Sequence, residues 1–397
     1  MNNLSPIQPG VRKIVGIISF MNSAGAQEAM LRLMRQLRLR GYDTEVWFLY
    51  EKSPCYRGEP GVRVVLGKAG LSASDIPRLF ARLVRMLRQS RPDVVVGFLP
   101  LGNIMGLLAA AAAGIPLRIA SQRSPGPTFS RIMRLLDRQL GVRGIYNRVV
   151  CVSQAVMQSF EDYPPAYRNR LCVVNNGIEW SPSTLEKAMA RASFGIPGDF
   201  PLIVASGRFE PQKNYDLMVR VIATTPRMRL AIAGDGRLRA AAEALASDLN
   251  AQDRIHFLGS ISHSRVMDLL RAADGFIQTS LFEGQSNSIL EAMHEGLPIV
   301  CSDIPMQRET LCEADGEDAG LLVPLEEFDA WREALIRVRD DGALAAGLGA
   351  RARALVKRRF TLDRMIDGFE TAILDGEVAQ CIPVGGSCAI EGAELTH

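Results

Sequence analysis

The feature of this sequence that most constrains its fold is the stretch 276–303, where an apolar run, a loop, a helix-like segment and a second apolar run follow in order. Phe276 and Ile277 suit a buried strand, Gly296 ends the helix-like segment, and residues 299–301 suit another buried strand. This order predicts a βαβ unit of a parallel sheet. Because the same alternation recurs along most of the 397 residues, the chain is predicted to be an α/β protein.

The loop of this unit is a candidate phosphate site. It follows a predicted strand, at the end where open α/β sheets bind ligands. Its small or polar residues are Gly284, Gln285, Ser286, Asn287 and Ser288. Since these residues precede the predicted helix, its first amides can face an anion, and the helix dipole adds about half a positive charge there.

Two carboxylates flank this loop. Glu283 precedes it, and Glu291 lies in the predicted helix. Carboxylates accept hydrogen bonds from hydroxyl groups, which sugars and riboses offer. Two simpler interpretations stay open: Glu291 also fits a capping box that starts at Ser288, and Glu283 also fits a solvated loop residue.

A second strand-to-helix loop carries two cations. Leu202–Ser206 suits a buried strand, and a helix is predicted from Tyr215. Arg208 and Lys213 lie in the loop between them. Two such cations can bind an anionic group such as a phosphate through charge-assisted hydrogen bonds. The alternative is a pair of solvated loop cations.

These segments resemble the retaining family 4 glycosyltransferases of GT-B fold. Seven residues separate Glu283 from Glu291 in FEGQSNSILEAMHEGLPIV, which resembles the E-x7-E segment of that family. The loop with Arg208 and Lys213 resembles the family's Gly-Arg and Lys-Asn signature. The sequence AGAQ at 24–27 resembles the family's Gly-Gly-Ala-Glu loop and keeps Gly25, where backbone can approach a ligand closely.

The resemblance implies a domain plan. Two Rossmann-like domains are expected to face each other across a cleft. The expected divisions are an N-terminal acceptor-binding domain, a linker, a C-terminal nucleotide-sugar-binding domain, a helix that returns to the first domain, and a flexible tail. Their respective ranges are 1–178, 179–200, 201–360, 361–375 and 376–397.

The resemblance also implies an activity. A retaining, metal-independent hexosyltransferase would move a sugar from a UDP- or GDP-linked donor to a glycan or lipid-linked acceptor, in polysaccharide or cell-envelope biosynthesis. Arg208 and Lys213 would hold the diphosphate, Glu283 the donor sugar and Glu291 the ribose. The further donor-binding candidates are Gly25, Gly207 and the residues Gly284, Gln285, Ser286, Asn287 and Ser288. No cofactor is expected beside the nucleotide-sugar.

The acceptor side has one candidate residue. Arg123 follows a predicted strand at 117–120 and is a candidate acceptor or phosphate contact, with a surface salt bridge as the alternative. Many members of the family carry a histidine in the N-terminal domain, whereas residues 1–170 contain none. We therefore expect no mechanism that needs an imidazole from that domain.

Charge is divided unevenly along the chain. Residues 1–170 contain 24 Lys and Arg against 10 Asp and Glu, whereas the remainder contains 22 against 33. Two predicted amphipathic helices, 75–89 and 130–143, each carry four arginines. Such helices can lie on an anionic membrane surface, or their arginines can form ordinary solvated faces. Nucleic acid is not expected as a partner.

The sequence shows no pattern typical of a membrane-spanning segment, a signal peptide or a metal site. There is no apolar run of about 20 residues and no signal-peptide pattern, so a cytoplasmic protein is expected, with peripheral membrane binding left open. The seven cysteines form no C-x-x-C pair and the four histidines are scattered, so neither a disulfide framework nor a metal site is predicted. Cys381 and Cys388 lie in the Gly-rich tail.

Other functions stay open. A nucleotide-sugar epimerase or hydrolase of the same fold would convert the donor without an acceptor. A non-catalytic, membrane-associated nucleotide-binding protein is a second alternative. An oxidoreductase is a third, although the sequence GDGRLR at 234–239 lacks the last glycine of the dinucleotide fingerprint.

Overall fold

The computed structural model of the protein describes residues 13–22, 25–313 and 316–374. These residues form two compact units, of which the first contains 13–177 with 362–374 and the second contains 178–361. The predicted tail at 376–397, with Cys381 and Cys388, lies outside the described residues. Within the described ranges, no helix is both long enough and apolar enough to cross a bilayer.

The first unit is a parallel sheet with helices on its faces. Its strands are β1 (Lys13–Met21), β2 (Asp43–Glu51), β3 (Val62–Leu66), β4 (Val94–Phe98), β5 (Leu117–Gln122), β6 (Arg148–Cys151) and β7 (Leu171–Val173). All are paired in parallel in the order β3-β2-β1-β4-β5-β6-β7. Apolar side chains cover both faces of β1 and β4, as a parallel sheet requires.

Eight helices flank this first sheet in the described part of the unit. They are α1 (Gly25–Leu39), α2 (Asp75–Ser90), α3 (Leu99–Leu101), α4 (Leu107–Ala112), α5 (Arg131–Val142), α6 (Gln154–Gln158) and α7 (Pro165–Arg168), and, from the end of the chain, α16 (Leu362–Leu374). Helix α16 buries Ile366 and Phe369 in the same core as Met30 of α1. Arg40 donates hydrogen bonds to Asp367 and Glu370 and so ties α16 to the first unit.

The second unit repeats this plan with six strands. They are β8 (Leu202–Ser206), β9 (Arg229–Ala233), β10 (Ile255–Gly259), β11 (Gly275–Gln278), β12 (Ile299–Ser302) and β13 (Leu321–Val323). The parallel order is β10-β9-β8-β11-β12-β13. The helices are α8 (Lys187–Ala192), α9 (Tyr215–Thr224), α10 (Arg239–Asp248), α11 (His263–Ala272), α12 (Asn287–Glu295), α13 (Pro305–Leu311), α14 (Phe328–Asp340) and α15 (Gly342–Arg359).

Both sheets confirm the predicted parallel α/β architecture, and both reverse their strand order once. In the first sheet, β1 to β3 follow one another toward one edge and β4 to β7 toward the other. In the second sheet, β8 to β10 and β11 to β13 are arranged in the same way. Neighbouring strands at such a reversal send their following loops to opposite faces, which leaves a crevice at their carboxyl ends. In the second unit this crevice lies at the ends of β8 and β11.

Three helices have features that the sequence patterns do not show. Helix α1 begins at Gly25, so Gly25 and Ala26 of the predicted AGAQ loop belong to the helix and not to a loop. A π-helical turn, Gly102–Gly106, lies between α3 and α4. Helices α14 and α15 are separate, and the Asp341 side chain caps α15 by accepting from the amide of Leu344 (2.9 Å).

Residues 179–200, predicted as a linker, attach to the second unit. They contain α8, whose Lys187 and Arg191 donate to the carboxylate of Asp274 at 2.6 and 3.4 Å. The same carboxylate accepts from the amide of Leu202 at the start of β8 (2.7 Å). Ile178, Ala190 and Ile196 are buried in the core of this unit.

Helix α15 packs against the turn that ends α12, and two of its glycines make a matched test of that packing. A Cβ on Gly349 would overlap the backbone carbonyl of Gly296, whereas a Cβ on Gly347 would meet only the flexible end of Arg351, at 3.3 Å. Gly349→Ala should therefore lower the free energy of unfolding by about 1–3 kcal/mol through overpacking. Gly347→Ala should raise it by up to about 1 kcal/mol, because alanine favours the helix.

Urea denaturation of both variants checks this pair of expectations. Equal effects of the two substitutions would contradict the close packing of α15 on the Gly296 turn.

Candidate active site

Two loops at the strand-order reversal of the second unit carry most of the predicted site residues. One loop follows β8 and contains Gly207, Arg208 and Lys213, and the other follows β11 and contains Glu283. The loops are joined by a backbone hydrogen bond from the amide of Leu281 to the carbonyl of Gln212 (2.8 Å). The hydroxyl of Thr279 donates to the carbonyls of Lys213 and Asn214, at 3.0 and 2.9 Å.

Lys213 and Glu283 form an ion pair between these loops. The ammonium of Lys213 lies 2.7 Å from Oε1 of Glu283, across 70 residues of sequence. The two side chains are only 16% and 8% exposed, so solvent screens their attraction weakly. Glu283 is therefore a paired, buried carboxylate, and the interpretation of Glu283 as a solvated loop residue was wrong.

Glycine is required where this loop begins. Gly207 has a φ of 153°, and a Cβ there would lie 3.1 Å from Cε of Lys213 and 3.3 Å from the hydroxyl of Tyr215. Without a side chain, Gly207 leaves room for Lys213 to pass along the backbone toward Glu283. The hydroxyl of Tyr215 donates to the Gly207 carbonyl (3.0 Å). Burial raises the pKa of Tyr215, and the charge of Glu283 adds to that shift.

The Glu283 carboxylate accepts three further hydrogen bonds. Ser280 Oγ and Gln278 Nε2 donate to Oε1, at 2.7 and 3.3 Å, and Gln212 Nε2 donates to Oε2 at 3.2 Å. A carboxylate oxygen has about two lone-pair positions. With Lys213 included, Oε1 has three donors and is saturated, whereas Oε2 has one donor and can accept another, such as a hydroxyl group.

Sequence analysis missed a buried polar network in this site, formed by Gln278, Ser280, Ser302 and Gln307. They are at most 3% exposed. Gln307 Nε2 donates to Oε1 of Gln278 (3.1 Å), Ser302 donates to the carbonyl of Ser280 (2.6 Å), and Ser302 also bonds Gln307 (2.9 Å). The network orients Gln278 toward Glu283. Polar residues that end the apolar strands β11 and β12 were the available signal.

The loop 284–288 differs from its prediction. Helix α12 begins at Asn287, so Asn287 and Ser288 lie in its first turn, and Ser286 is the N-cap. The hydroxyl of Ser286 accepts from the amide of Ile289 (3.5 Å) and, with that of Ser288, bonds Gln278 Nε2 (3.1 and 3.5 Å). These hydroxyls point into the protein. Gly284 and Gln285 are buried before the helix.

The capping box proposed for Glu291 was wrong. A capping box needs Glu three residues after the N-cap, and Ile289 holds that position when Ser286 is the cap. Glu291 lies farther along α12, with its carboxylate 3.8 Å from Nδ1 of His263. Its side chain is 13% exposed. Glu291 thus lies outside the capping-box position and has its carboxylate on the side of α12 next to α11.

Arg208 differs from Lys213 in its environment. It is exposed and makes no ion pair with any residue in the described ranges. A cation that is not neutralised by the protein is available to an anionic ligand. Lys213 has one of its three N–H groups on Glu283, which leaves two for other acceptors.

Gly25 and Arg123 belong to the first unit. Gly25 is the first residue of α1, and Ala24 lies outside the described residues. Gln27 is buried and donates to the carbonyl of Phe20 (3.1 Å), which turns it toward β1. Arg123 follows β5, donates to Oδ1 of Asn176 and lies 4.9 Å from the centre of the Phe98 ring. Burial and the nearby charge of Arg32 lower the pKa of Arg123 to about 9.

Metal sites in proteins need several His, Cys, Asp or Glu side chains close together. No group of three or more His, Cys, Asp or Glu side chains that could hold a metal ion occurs among residues 13–22, 25–313 and 316–374. The cysteines within those ranges form no disulfide with one another.

Two sequence families account for most of the chain. Residues 186–355 match the family described as glycosyl transferases group 1, and residues 24–177 match the glycosyl transferase 4-like domain. The first match contains Arg208, Lys213, Glu283 and Glu291, the residues on which the resemblance rested.

This chain belongs to the group 1 glycosyltransferases. Among its relatives, the lipopolysaccharide core biosynthesis glycosyltransferase LpsE of Rhizobium meliloti is 24% identical over 288 residues, 72% of this chain and 77% of LpsE. The D-inositol 3-phosphate glycosyltransferase of Mycolicibacterium smegmatis is 26% identical over 390 residues, 89% of this chain and 88% of that protein.

Solved structures confirm the fold of this glycosyltransferase. Anabaena HepE, crystallised in complex with UDP and glucose, has a TM-score of 0.80 at 18% identity and covers 91% of this chain and 99% of its own. The predicted GT-B fold of two Rossmann-like domains is therefore confirmed.

The Lys213–Glu283 pair should be strongly coupled. Removing one partner leaves the other as a buried charge with an incomplete set of contacts. A double-mutant cycle of Lys213→Met and Glu283→Gln, measured by chemical denaturation, should give a coupling free energy of about 1 kcal/mol or more. The matched surface pair Arg220 and Asp216 should give a coupling close to zero. Similar couplings in both cycles would contradict the buried-pair assignment.

His294 of α12 makes folding stability depend on pH. Its ring stacks on Trp180 (centroids 5.1 Å apart), neither ring nitrogen has a hydrogen-bond partner in the described part of the chain, and burial lowers its pKa to about 4. A histidine is protonated in the unfolded chain below about pH 6.5. The unfolded state then binds more protons, so this contribution to stability is complete above pH 6.5 and is lost as pH falls toward 4.

His294→Phe, which keeps the stack on Trp180, should reduce the loss of stability between pH 6.5 and 4 by up to about 1.4 kcal/mol per pH unit. Denaturation midpoints across this pH range measure it, with the exposed His263→Gln as control. Parallel pH profiles for wild type and His294→Phe would refute the buried neutral imidazole.

Proposed function

We propose that this glycosyltransferase moves a sugar from a nucleotide-sugar donor to a glycan or lipid-linked acceptor, with retention at the anomeric carbon and without a metal ion. The observation that carries the proposal is the pairing of Lys213 with Glu283 at the carboxyl ends of β8 and β11, with the exposed Arg208 in the same loop as Lys213. Cations for a diphosphate and a carboxylate for hydroxyl groups are thereby joined in one unit.

The diphosphate is held by Arg208 and Lys213. Arg208 supplies a positive charge that no carboxylate of the described chain neutralises, and Lys213 supplies two N–H donors beyond the one that Glu283 accepts. Negative charge grows on the diphosphate as the sugar leaves, so both cations stabilise the transition state more than the bound donor. They supply the charge for which other enzymes use a metal ion.

Glu283 holds the donor sugar. Its Oε1 atom is saturated by Lys213, Ser280 and Gln278, so Oε2 is the atom that accepts from a sugar hydroxyl. This arrangement makes Glu283 a positioned acceptor and disfavours attack by Glu283 on the anomeric carbon. Glu291, near α11, is assigned to the ribose hydroxyls, and Gly284 and Gln285 to backbone contacts with the sugar.

The transfer step needs no base other than the departing phosphate oxygen. The bond between the anomeric carbon and the phosphate oxygen breaks, and the acceptor oxygen bonds to that carbon on the same face. The proton of the acceptor hydroxyl passes to the departing phosphate oxygen. This route needs no histidine from residues 1–170, where the sequence has none.

The relatives support the substrate classes. LpsE acts in lipopolysaccharide core biosynthesis by its name, and HepE was solved with UDP and glucose. We accordingly propose a UDP- or GDP-linked hexose as donor and a cell-envelope glycan or its lipid-linked precursor as acceptor, with no cofactor beside the donor. Arg123 is the proposed acceptor or phosphate contact in the first unit.

Donor binding is the first test. In a thermal-shift screen of UDP- and GDP-sugars, the true donor at 100 times its dissociation constant should stabilise the protein by about 2.7 kcal/mol. Lys213→Met and Arg208→Ala should each weaken that shift and lower the transfer rate at least about tenfold, because each removes a charge-assisted hydrogen bond. Arg220→Ala, which removes a surface cation of the same unit, should leave both unchanged.

The reaction itself separates the alternatives. Nucleoside diphosphate released only when an acceptor is present, with an α-linked product from an α-linked donor, supports the retaining transferase. Donor converted equally well without any acceptor would instead indicate an epimerase or hydrolase. If no envelope extract supports release while the donor still binds, the protein is a non-catalytic nucleotide-binding protein.

A further inference from the structure

Helix α5 exposes large apolar side chains. Ile132, Leu135 and Leu136 are 72%, 57% and 42% exposed. At 3.6 residues per turn they lie within about 100° of the helix circumference and form one stripe. Most amphipathic helices of a globular protein turn such a stripe toward the core. On α5 it points to solvent.

The packing of α5 imposes this orientation. Its inward side carries Asp137, whose carboxylate accepts hydrogen bonds from Gln122 (2.9 Å) and the hydroxyl of Tyr167 (2.8 Å). A Cβ on Gly141, one turn later, would overlap the ring of Tyr167. The helix cannot rotate its apolar stripe inward without breaking both bonds and this close contact. The packing of α5 therefore requires Ile132, Leu135 and Leu136 to be exposed.

Cations lie along one edge of the stripe. Arg131 and Arg138 are exposed and Arg134 is half-buried. None of the three makes an ion pair with a residue in the described ranges. The acidic residue of α5, Asp137, is buried. We call the surface formed by Ile132, Leu135, Leu136 and these three arginines the α5 face.

Helix α2 shows that the arginines alone do not make such a surface. It also carries exposed arginines, including Arg78, Arg82 and Arg85. Its leucines, Leu79, Leu83 and Leu87, are fully buried. Helix α2 is therefore an ordinary core-packed helix with a solvated basic side, although the two helices have similar sequence patterns.

We propose that the α5 face docks on an anionic lipid surface, with Ile132, Leu135 and Leu136 entering the headgroup region and the arginines binding lipid phosphates. Aliphatic side chains beside cations, with no exposed acid on the helix, match the chemistry of that boundary. Flexible arginines can also bind phosphates that have no fixed spacing. The docking holds whether or not the acceptor is lipid-linked, because it depends on α5 and not on the donor site.

Sedimentation with vesicles tests the proposal. Wild-type protein should pellet with vesicles of phosphatidylglycerol and phosphatidylcholine at low salt, pellet less at high salt, and not pellet with phosphatidylcholine alone. Replacing Arg131, Arg134 and Arg138 by Gln together should weaken binding at least about tenfold. Ile132→Gln, Leu135→Gln and Leu136→Gln together should weaken it similarly, including at high salt.

Matched variants make the outcome decisive. Arg78→Gln, Arg82→Gln and Arg85→Gln together remove the same charge from α2 of the same unit, and Leu39→Gln removes another apolar side chain that is 72% exposed. Both controls should bind like wild type, and all variants should keep the wild-type circular dichroism spectrum.

Three outcomes would overturn the proposal. The first is that wild type does not pellet with anionic vesicles at low salt. The second is that the α2 and α5 charge variants lose binding equally, which would mean nonspecific attraction to the basic half. The third is a wild-type dimer that the α5 apolar variant converts to a monomer, which would assign the face to a second copy of the chain.

Discussion

Parallel pairing of β8 with β11 is the constraint on which the candidate active site depends. The two strands are neighbours at the point where the sheet reverses its order, so the loops that follow them meet at one edge. Lys213 and Glu283 thereby come within 2.7 Å of each other across 70 residues of sequence. Thr279 and Gln212 form additional hydrogen bonds between the same two loops and keep Lys213 and Glu283 close together.

The buried carboxylate of Glu283 explains why hydrogen-bond donors surround it. A buried carboxylate is retained when charged and neutral donors compensate for its lost hydration. Glu283 has four such donors, three of them on one oxygen. Oε2 of Glu283 and two N–H groups of Lys213 can still form further hydrogen bonds. The hydrogen bonds among these residues thus fix the positions of Lys213 and Glu283 relative to each other.

The two arginine-rich helices show where sequence patterns stop being informative. Helices α2 and α5 have similar compositions, and either could have been the surface helix. In the structure α2 buries its leucines, whereas α5 buries Asp137 on Gln122 and Tyr167 and exposes its apolar stripe. The difference comes from partners on β5 and α7, which lie elsewhere in the sequence. Periodicity identifies an amphipathic helix without saying which side faces the protein.

Local composition and spacing predicted the α/β class, most strands, and the closeness of Arg208 and Lys213 within one loop, because neighbouring residues decide these features. The family was predicted from the resemblance of these segments to known glycosyltransferases. The sequence did not predict that Lys213 pairs with Glu283, that Gln278 and Gln307 support this pair, or that α12 begins at Asn287 with Ser286 as its N-cap. These features depend on strand order and on contacts between segments far apart in the sequence, and local patterns do not indicate which distant segments become neighbours.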